Sequence, residues 1–287
     1  MTATSAAPAA GPSAALDEAV RSILYSDDVD LPVLPEVAAK LLQLTNDIDC
    51  EPRDLVDLIR RDQSLAGHLL RIANSTRYSG GQTVSSIQQA LARLGLLRVR
   101  EIVVLIHCQT RVFDVAGFED VVRHSFRHSL ATAAFAQEIA RVRRLNVEEA
   151  FMSGLLHDVG RPVLLQELSD RRRDKQFTAD DDTLLQAAEE HRIPLAARLI
   201  REWDLPARLS EAVLHQNSPM ESETCGENSR IVNLAIQLSL HTLEGTLAAD
   251  TDVLQHPMIA VLNLYPEQIA GICEKAHEIL DWVESAA

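Results

Sequence analysis

Apolar residues recur at helical spacing along almost the whole chain from Leu16 onward. Apolar positions three or four residues apart fall on one face of a helix, which is the pattern of an amphipathic helix packed on a core. The two clearest stripes are Val37, Leu41, Leu42 and Leu44, and Leu65, Leu69, Leu70 and Ile72. No segment with alternating apolar and polar residues competes with this pattern. The sequence therefore predicts an all-α fold.

Capping residues indicate where some of these helices begin and end. Ser85 or Ser86 precedes a helical segment that breaks near Gly95, and Asn146 precedes another. Their side-chain oxygens can accept hydrogen bonds from the free N–H groups of a first helical turn. Between these segments, residues 118–145 form one long amphipathic pattern. We therefore expect a long amphipathic helix followed, after Asn146, by a second helix running back along it.

Composition narrows the classes of function. The 287 residues are 46% hydrophobic and 4% aromatic, and the formal net charge is −15. Because no basic surplus is present to neutralise phosphates, we expect no nucleic-acid binding. No apolar run approaches the roughly 18–20 residues of a membrane span, so we expect no membrane insertion. Four widely spaced cysteines without a CxxC pair favour reduced thiols and a cytoplasmic location.

The first fifteen residues differ from the rest of the chain. The stretch MTATSAAPAAGPSAA is rich in Ala, Pro and Ser. It has neither the basic start nor the continuous apolar region of a signal peptide. We expect residues 1–15 to form a disordered tail and residues 16–287 to form a single helical domain.

The segment SGLLHDVGR contains the main candidate for chemistry, the adjacent His157 and Asp158. His128 lies on the preceding long helix, and a helical hairpin can bring it close to this pair. Imidazoles and a carboxylate suit Mn, Fe or Zn, and His124 with His128 has the i, i+4 spacing of a chelating pair. A hydrolytic two-metal site, however, needs about five or six protein ligands. The same residues could equally form a structural hydrogen-bonded pair that joins two helices.

Other catalytic motifs are absent from the sequence. It contains no GxxxxGK[ST] phosphate loop, no GxGxxG segment after a strand and no GxSxG nucleophile elbow. The isolated His191, His215 and His241 have the ordinary pattern of packing or surface residues. Nothing in the sequence supports nucleotide-cofactor or serine-hydrolase chemistry.

Four segments in order resemble the HDOD domain family. They are LPVLPEVAAKLLQL, DLVDLIRRDQSLAGHLLRIANSTRYSG, SSIQQALARLGLLRVREIVV and EEAFMSGLLHDVGRPVL, and the later REWDLPARLSEAVLHQNSP is similar to the family's Trp, Leu-Pro and His segment. The resemblance covers residues 31–240. The family is a non-catalytic relative of the HD and HD-GYP phosphohydrolases and occurs in bacterial signalling proteins. The resemblance implies an N-terminal helical lobe, about 16–115, packed on an HD-like lobe, about 116–287.

The resemblance also implies which metal ligands of the HD enzymes are kept. His128, His157 and Asp158 match the first histidine and the HD pair, and His215 matches one histidine of a tandem pair. The other matching positions hold residues that cannot complete the site: Arg192, Gln216 and Ile236 stand where the enzymes have ligands, and Arg161 stands where a lysine often follows the HD pair. The set His128, His157, Asp158 and His215 is thus interpreted as vestigial, with no catalytic role and no bound metal or cofactor expected.

The resemblance implies a non-enzymatic regulatory protein that acts through contacts with other signalling proteins in trans, and a homodimer is compatible with it. Two alternatives remain open at the level of the sequence. One is a residual metal-dependent phosphohydrolase that uses the vestigial site. The other is a nucleotide-binding module in which Arg161 and Arg192 meet a phosphate.

Overall fold

The computed structural model of the chain consists of helices throughout the part that it describes, which confirms the predicted all-α class. The described residues are 12–26, 31, 52–60, 63–75, 78, 83–96, 98–99, 102, 115–222, 226–246 and 251–286. In chain order the helices are α1 (Pro12–Tyr25), α2 (Pro52–Arg60), α3 (Gln63–Ala73), α4 (Ile87–Leu94), α5 (Glu119–Arg143), α6 (Val147–Leu156), α7 (Gly160–Arg173), α8 (Asp181–Glu202), α9 (Ala207–Leu214), α10 (Gly226–Leu243), α11 (Thr251–Leu254), α12 (Pro257–Val261), α13 (Pro266–Glu274) and α14 (Ala276–Ala286).

Two of the predicted helix boundaries follow from capping chemistry. Ser86 accepts a hydrogen bond from the backbone N–H of Gln89, and α4 ends at Leu94, directly before Gly95, whose φ is 79°. Asn146 likewise accepts from the N–H of Glu149 at the start of α6. These side chains satisfy N–H groups that have no partner within the helix. Of the two serines proposed from the sequence, Ser86 is the cap.

Helix α5 lies at the centre of the fold. Every residue from His128 to Ala140 is buried, and the helix contacts α6, α7, α10, α13 and α14. Alanines fill five of these positions, Ala131, Ala133, Ala134, Ala136 and Ala140. Their small side chains allow neighbouring helices to approach the α5 backbone on several sides.

The two predicted lobes share one hydrophobic core. Helix α1 packs on α7 and α8, and α14 packs on α3 as well as on α5. The Arg198 guanidinium on α8 donates hydrogen bonds to the carbonyl oxygens of Ile23 and Ser26, at 2.9 and 2.8 Å, at the end of α1. Helix α1 therefore packs on helices of the second predicted lobe, and α14 packs on a helix of the first.

Some sequence predictions fall outside the described residues. These are most of the predicted tail, the helix containing Val37 and Leu44, and most of the apolar segment after residue 102. Within the predicted tail, α1 begins at Pro12, and Ala15 packs against the core. Among the described helices, none has the length and the apolar character required to span a bilayer.

Candidate functional site

Two glycines allow the segment with the His157-Asp158 pair to pack closely between α5 and α8. A Cβ atom on Gly154 would lie 2.8 Å from the Cα atom of Ala133. A Cβ atom on Gly160 would overlap the carbonyl oxygen of Arg192 and lie 2.7 Å from the backbone nitrogen of Ala196. Real Cβ atoms do not approach backbone this closely, so both positions require glycine. The turn between α6 and α7 is therefore held tightly against its two neighbours.

His157 is a buried, neutral imidazole. Its Nδ1 lies 2.7 Å from the carbonyl oxygen of Gly154, and since a carbonyl can only accept, Nδ1 carries the proton. Burial lowers the pKa of His157 to about 3, although the hydrogen bond to Gly154 acts in the opposite direction. The neighbouring Arg192 and Arg161 lower this pKa further. The neutral ring keeps its lone pair on Nε2.

His128 meets His157 edge to face. The ring centroids are 5.0 Å apart and the ring planes are inclined by 81°. Nδ1 of His128 lies 2.7 Å from the Ser239 hydroxyl, which is 2.8 Å from the Thr132 hydroxyl. Burial, followed by the charge that His157 would carry when protonated, lowers the pKa of His128 to about 3. Both histidines are therefore neutral at pH 7.

Asp158 is buried and surrounded by donors. The Ser125 hydroxyl donates to its Oδ2. Nε of Arg161 lies 3.0 Å from Oδ2, and Nη1 of Arg192 lies 3.2 Å from Oδ1. Both guanidiniums also contact Glu189 on α8. The carboxylate is thus neutralised by protein cations, and both of its oxygens accept hydrogen bonds.

These residues line a cavity with a volume of about 540 Å³. Its walls come from α5, α8, α10, the segment that joins α6 to α7, and the start of α7. The lining residues are Asp120, Val121, His124, Ser125, His128, His157, Asp158, Arg161, Glu189, Arg192, Ile236 and Leu240. One side is therefore polar and charged, and the α10 side presents Ile236 and Leu240.

The structure brings three of the four vestigial candidates together. His128, His157 and Asp158 lie in the cavity, whereas His215 is not among its described lining residues and pairs with Glu211 at 3.2 Å. The adjacent Gln216 is buried, and its side-chain amide donates to the backbone carbonyl of His157 at 3.0 Å. The Gln216 side chain is therefore used for a hydrogen bond within the fold.

The residues present do not fit a two-metal centre. Among the described residues, no group of three or more His, Cys, Asp and Glu side chains is arranged to hold a metal ion. Arg192 and Ile236 line the cavity, and a guanidinium or an alkyl chain provides no lone pair to a metal. Asp158 is already paired with two cations that would repel an approaching dication. The side chains around Asp158 form an ion-paired cluster.

The structure adds three residues that the sequence analysis did not identify, Ser125, Glu189 and Ser239. Ser125 and Glu189 each precede a site residue by three positions on the same helix, His128 and Arg192 respectively. This spacing places both members of each pair on one helix face. The sequence therefore contained a local indication of Ser125 and Glu189. Ser239 approaches His128 from α10, and no local pattern indicates that contact.

Comparison with known proteins agrees with this architecture. A protein from Shewanella amazonensis, provisionally named a metal-dependent phosphohydrolase, superposes with a TM-score of 0.73 at 20% identity over 96% of this chain and 100% of its own. A Marinobacter aquaeolei protein, provisionally named a signal transduction protein, superposes with a TM-score of 0.65 at 22% identity over 96% and 64% of the two chains. Likeness at this level of identity establishes the fold alone.

A protein of unassigned function from Treponema pallidum is 23% identical over 205 residues, which are 68% of this chain and 39% of the relative. The chain thus spans less than half the length of that relative. The sequence model of the HDOD domain matches residues 31–219, well over half of the chain. This match, together with the helical fold, confirms the resemblance drawn from the ordered motifs. The chain belongs to the HDOD domain family.

Proposed function

We propose that this chain is a non-enzymatic regulatory protein of bacterial signal transduction that acts through protein–protein contacts. The observation that supports the proposal is the pairing of Asp158 with Arg161 and Arg192. In an HD-type hydrolase, the aspartate of the pair would hold a metal that activates water and stabilises a developing negative charge. Here two guanidiniums, in place of a metal, balance the negative charge of Asp158. A guanidinium does not lose its proton near neutral pH.

The same pairing gives the site a structural purpose. Asp158 joins α5, through Ser125, to α7, through Arg161, and to α8, through Arg192. A buried charge without such partners would strongly destabilise the fold. The His-Asp pair therefore serves as a polar junction of three helices, while the outer faces of the domain remain open to partners. The proposed partners are other signalling proteins in the cytoplasm, with a second copy of the chain as a further candidate.

Metal analysis combined with an activity assay tests the non-enzymatic assignment. We expect purified protein to contain no stoichiometric Mn, Fe, Ni or Zn by mass spectrometry, and no hydrolysis of nucleotides or cyclic dinucleotides when these metals are added. The rival function is a residual metal-dependent phosphohydrolase. Stoichiometric metal together with hydrolysis that disappears in Asp158→Asn, while the variant keeps its helical circular dichroism, would establish that rival.

The protein–protein part of the proposal needs a separate measurement. The full chain, immobilised and exposed to extract of its native cell, should retain a specific signalling protein that binds the purified chain again in a two-component titration. A chain without residues 1–11 is the matched control for non-specific capture by the tail. If no captured protein binds in the purified system, the proposed mode of action is wrong.

A further inference from the structure

Glu189 closes the arginine pair from the solvent side. Its Oε2 lies 2.5 Å from Nη2 of Arg161, and its Oε1 lies 3.1 Å from Nε of Arg192. The Glu189 side chain is 53% exposed, whereas the two arginine side chains are 26% and 15% exposed. One carboxylate therefore uses each of its oxygens to hold a different guanidinium at the edge of the cavity.

The two carboxylates of this cluster differ in how readily each can move away from the arginines. Asp158 is buried and fixed by Ser125 as well as by the arginines. Glu189 is half exposed, and among the described residues its side chain pairs with the same two arginines. The Glu189 side chain can rotate into water, where its carboxylate is hydrated, because half of this side chain is already exposed. Without Glu189, two guanidiniums would face a single carboxylate, leaving one positive charge uncompensated.

The adjoining cavity can accommodate more than a single ion. Its volume of about 540 Å³ lies within the roughly 300–1,000 Å³ range of small-molecule sites. Arg161 and Arg192 line the polar side, and Ile236 and Leu240 form an apolar wall on α10. Asp120 also lines the cavity, but its carboxylate is almost fully exposed and pairs with Arg123 at 3.5 Å. This combination suits a ligand with an anionic group and an apolar or planar body.

We propose that Glu189 is an internal substitute for an anionic ligand, and that the cavity binds a small phosphate-bearing molecule whose phosphate displaces the Glu189 carboxylate from Arg161 and Arg192. Paired guanidiniums bind phosphate oxygens as they bind carboxylate oxygens. The ligand is held without a metal, and no bond is made or broken. This inference goes beyond the proposed protein–protein role and does not depend on it.

Calorimetric titration of the full chain in the presence of a chelator tests the proposal. The probes are inorganic phosphate and adenosine monophosphate, and the variants are Glu189→Gln and Glu190→Gln. Glu190 is the next residue on the same helix and is exposed. Its substitution therefore removes the same charge without removing the contact with the arginines. We expect Glu189→Gln to bind the probes at least about tenfold more tightly than wild type, because a competing unit charge has been removed from the arginines. Glu190→Gln should bind like wild type.

The two probes and one further variant distinguish the outcomes. Tighter binding of adenosine monophosphate than of phosphate identifies a nucleotide-type ligand that uses the apolar wall, and equal binding identifies the phosphate group as the whole determinant. Either result must be lost when Arg161→Gln is added to Glu189→Gln in a variant that retains its helical circular dichroism. The proposal is overturned if Glu189→Gln and Glu190→Gln bind the probes equally, or if binding survives the loss of Arg161.

Discussion

At the scale of single residues, the site is defined by buried groups whose protonation states are fixed by their surroundings. His128 and His157 are neutral because burial disfavours the imidazolium form. Asp158, by contrast, sits beside two guanidiniums and a hydroxyl donor. The two imidazoles therefore add no positive charge to a cluster that already contains two arginines.

The lowered pKa values of His128 and His157 predict an acid-sensitive fold. Both values are about 3 in the folded protein, below the ordinary value near 6.5, so the unfolded chain binds more protons between these limits. The stabilising contribution is complete above pH 6.5 and is lost progressively as the pH falls toward 3. Each histidine can contribute a slope of at most about 1.4 kcal/mol per pH unit. Urea unfolding at several values between pH 7 and 5, above the main carboxyl range, measures this slope.

His128→Gln is the comparison for that measurement. The variant removes one of the two buried imidazoles and retains a side chain that can bond to Ser239. We expect the unfolding free energy to depend less steeply on pH, because the variant takes up as much as one proton fewer on unfolding. An identical slope in wild type and variant would show that His128 does not carry this effect.

Asp158→Asn tests the charge of the buried carboxylate. The substitution keeps the size of the side chain but leaves Arg161 and Arg192 without their buried counter-charge. Loss of one partner of a buried ion pair costs about 3–5 kcal/mol, and we expect a decrease of about 3 kcal/mol in the unfolding free energy because both arginines keep some solvent access. Asp170→Asn is the control, since its partner Arg173 is largely exposed and such pairs contribute about 0–1 kcal/mol. Equal effects in chemical denaturation would contradict the structural role of Asp158.

At the scale of helices, Gly160 determines how closely α7 approaches α8. The contact brings the start of α7 against the backbone of Arg192 and Ala196, which in turn places the Arg192 side chain beside Asp158. The SGLLHDVGR segment thus contains two glycines that position its own His-Asp pair. Their role is to permit helix contact, since neither has a positive φ.

Gly160→Ala is expected to destabilise the protein by at least about 2 kcal/mol, because overpacking against rigid backbone forces the helices apart. Gly271→Ala is the matched control. Gly271 lies within α13 with no atom within 4 Å of an added Cβ, so the same substitution should be neutral or stabilise by up to about 1 kcal/mol. Thermal unfolding of both variants provides the measurement. A neutral Gly160→Ala would exclude the tight α7–α8 contact.

Helix-scale features were the most accessible from the sequence. The caps at Ser86 and Asn146 and the long helix between residues 118 and 145 depend on neighbouring residues, so the local pattern contains the information. The contacts of the site residues with distant helices do not share this property. Arg192 contacts Asp158, and Ser239 contacts His128, from helices whose positions depend on tertiary packing. The contact of Gly160 with α8 likewise depends on backbone that is distant in sequence. Family resemblance supplied the correct fold and the candidates His128, His157 and Asp158. It indicated neither the Glu189 contact nor the absence of His215 from the described lining of the cavity.

At the scale of the whole molecule, α14 joins α3 to the central helix α5. It contacts α3, α5 and α10, and its Trp282 is fully buried with its ring centroid 6.2 Å from that of Phe151 on α6. Ionic contacts reinforce this end of the fold, because Arg127 on α5 pairs with Glu284, and Glu138 pairs with Lys275. The C-terminal helix is therefore part of the core.

Trp282→Ala should cost about 3–5 kcal/mol, as expected for truncation of a large buried aromatic side chain. Because α14 contacts both predicted lobes, circular dichroism and tryptophan fluorescence from the remaining Trp203 should report one coincident, weakened transition. Tyr25→Ala is the control, since Tyr25 is 75% exposed at the end of α1. Separate transitions for the two probes would show that the lobes unfold independently.

The enclosure of α5 has a further consequence for how the domain can exchange and communicate. From His128 to Ala140 this helix has no side chain at the surface, so its amides should be the slowest to exchange with deuterated solvent, opening only when the whole domain unfolds. A partner protein can then slow exchange only in the outer helices. A map of such protection would separate the surface that meets a partner from the scaffold that carries the His-Asp pair.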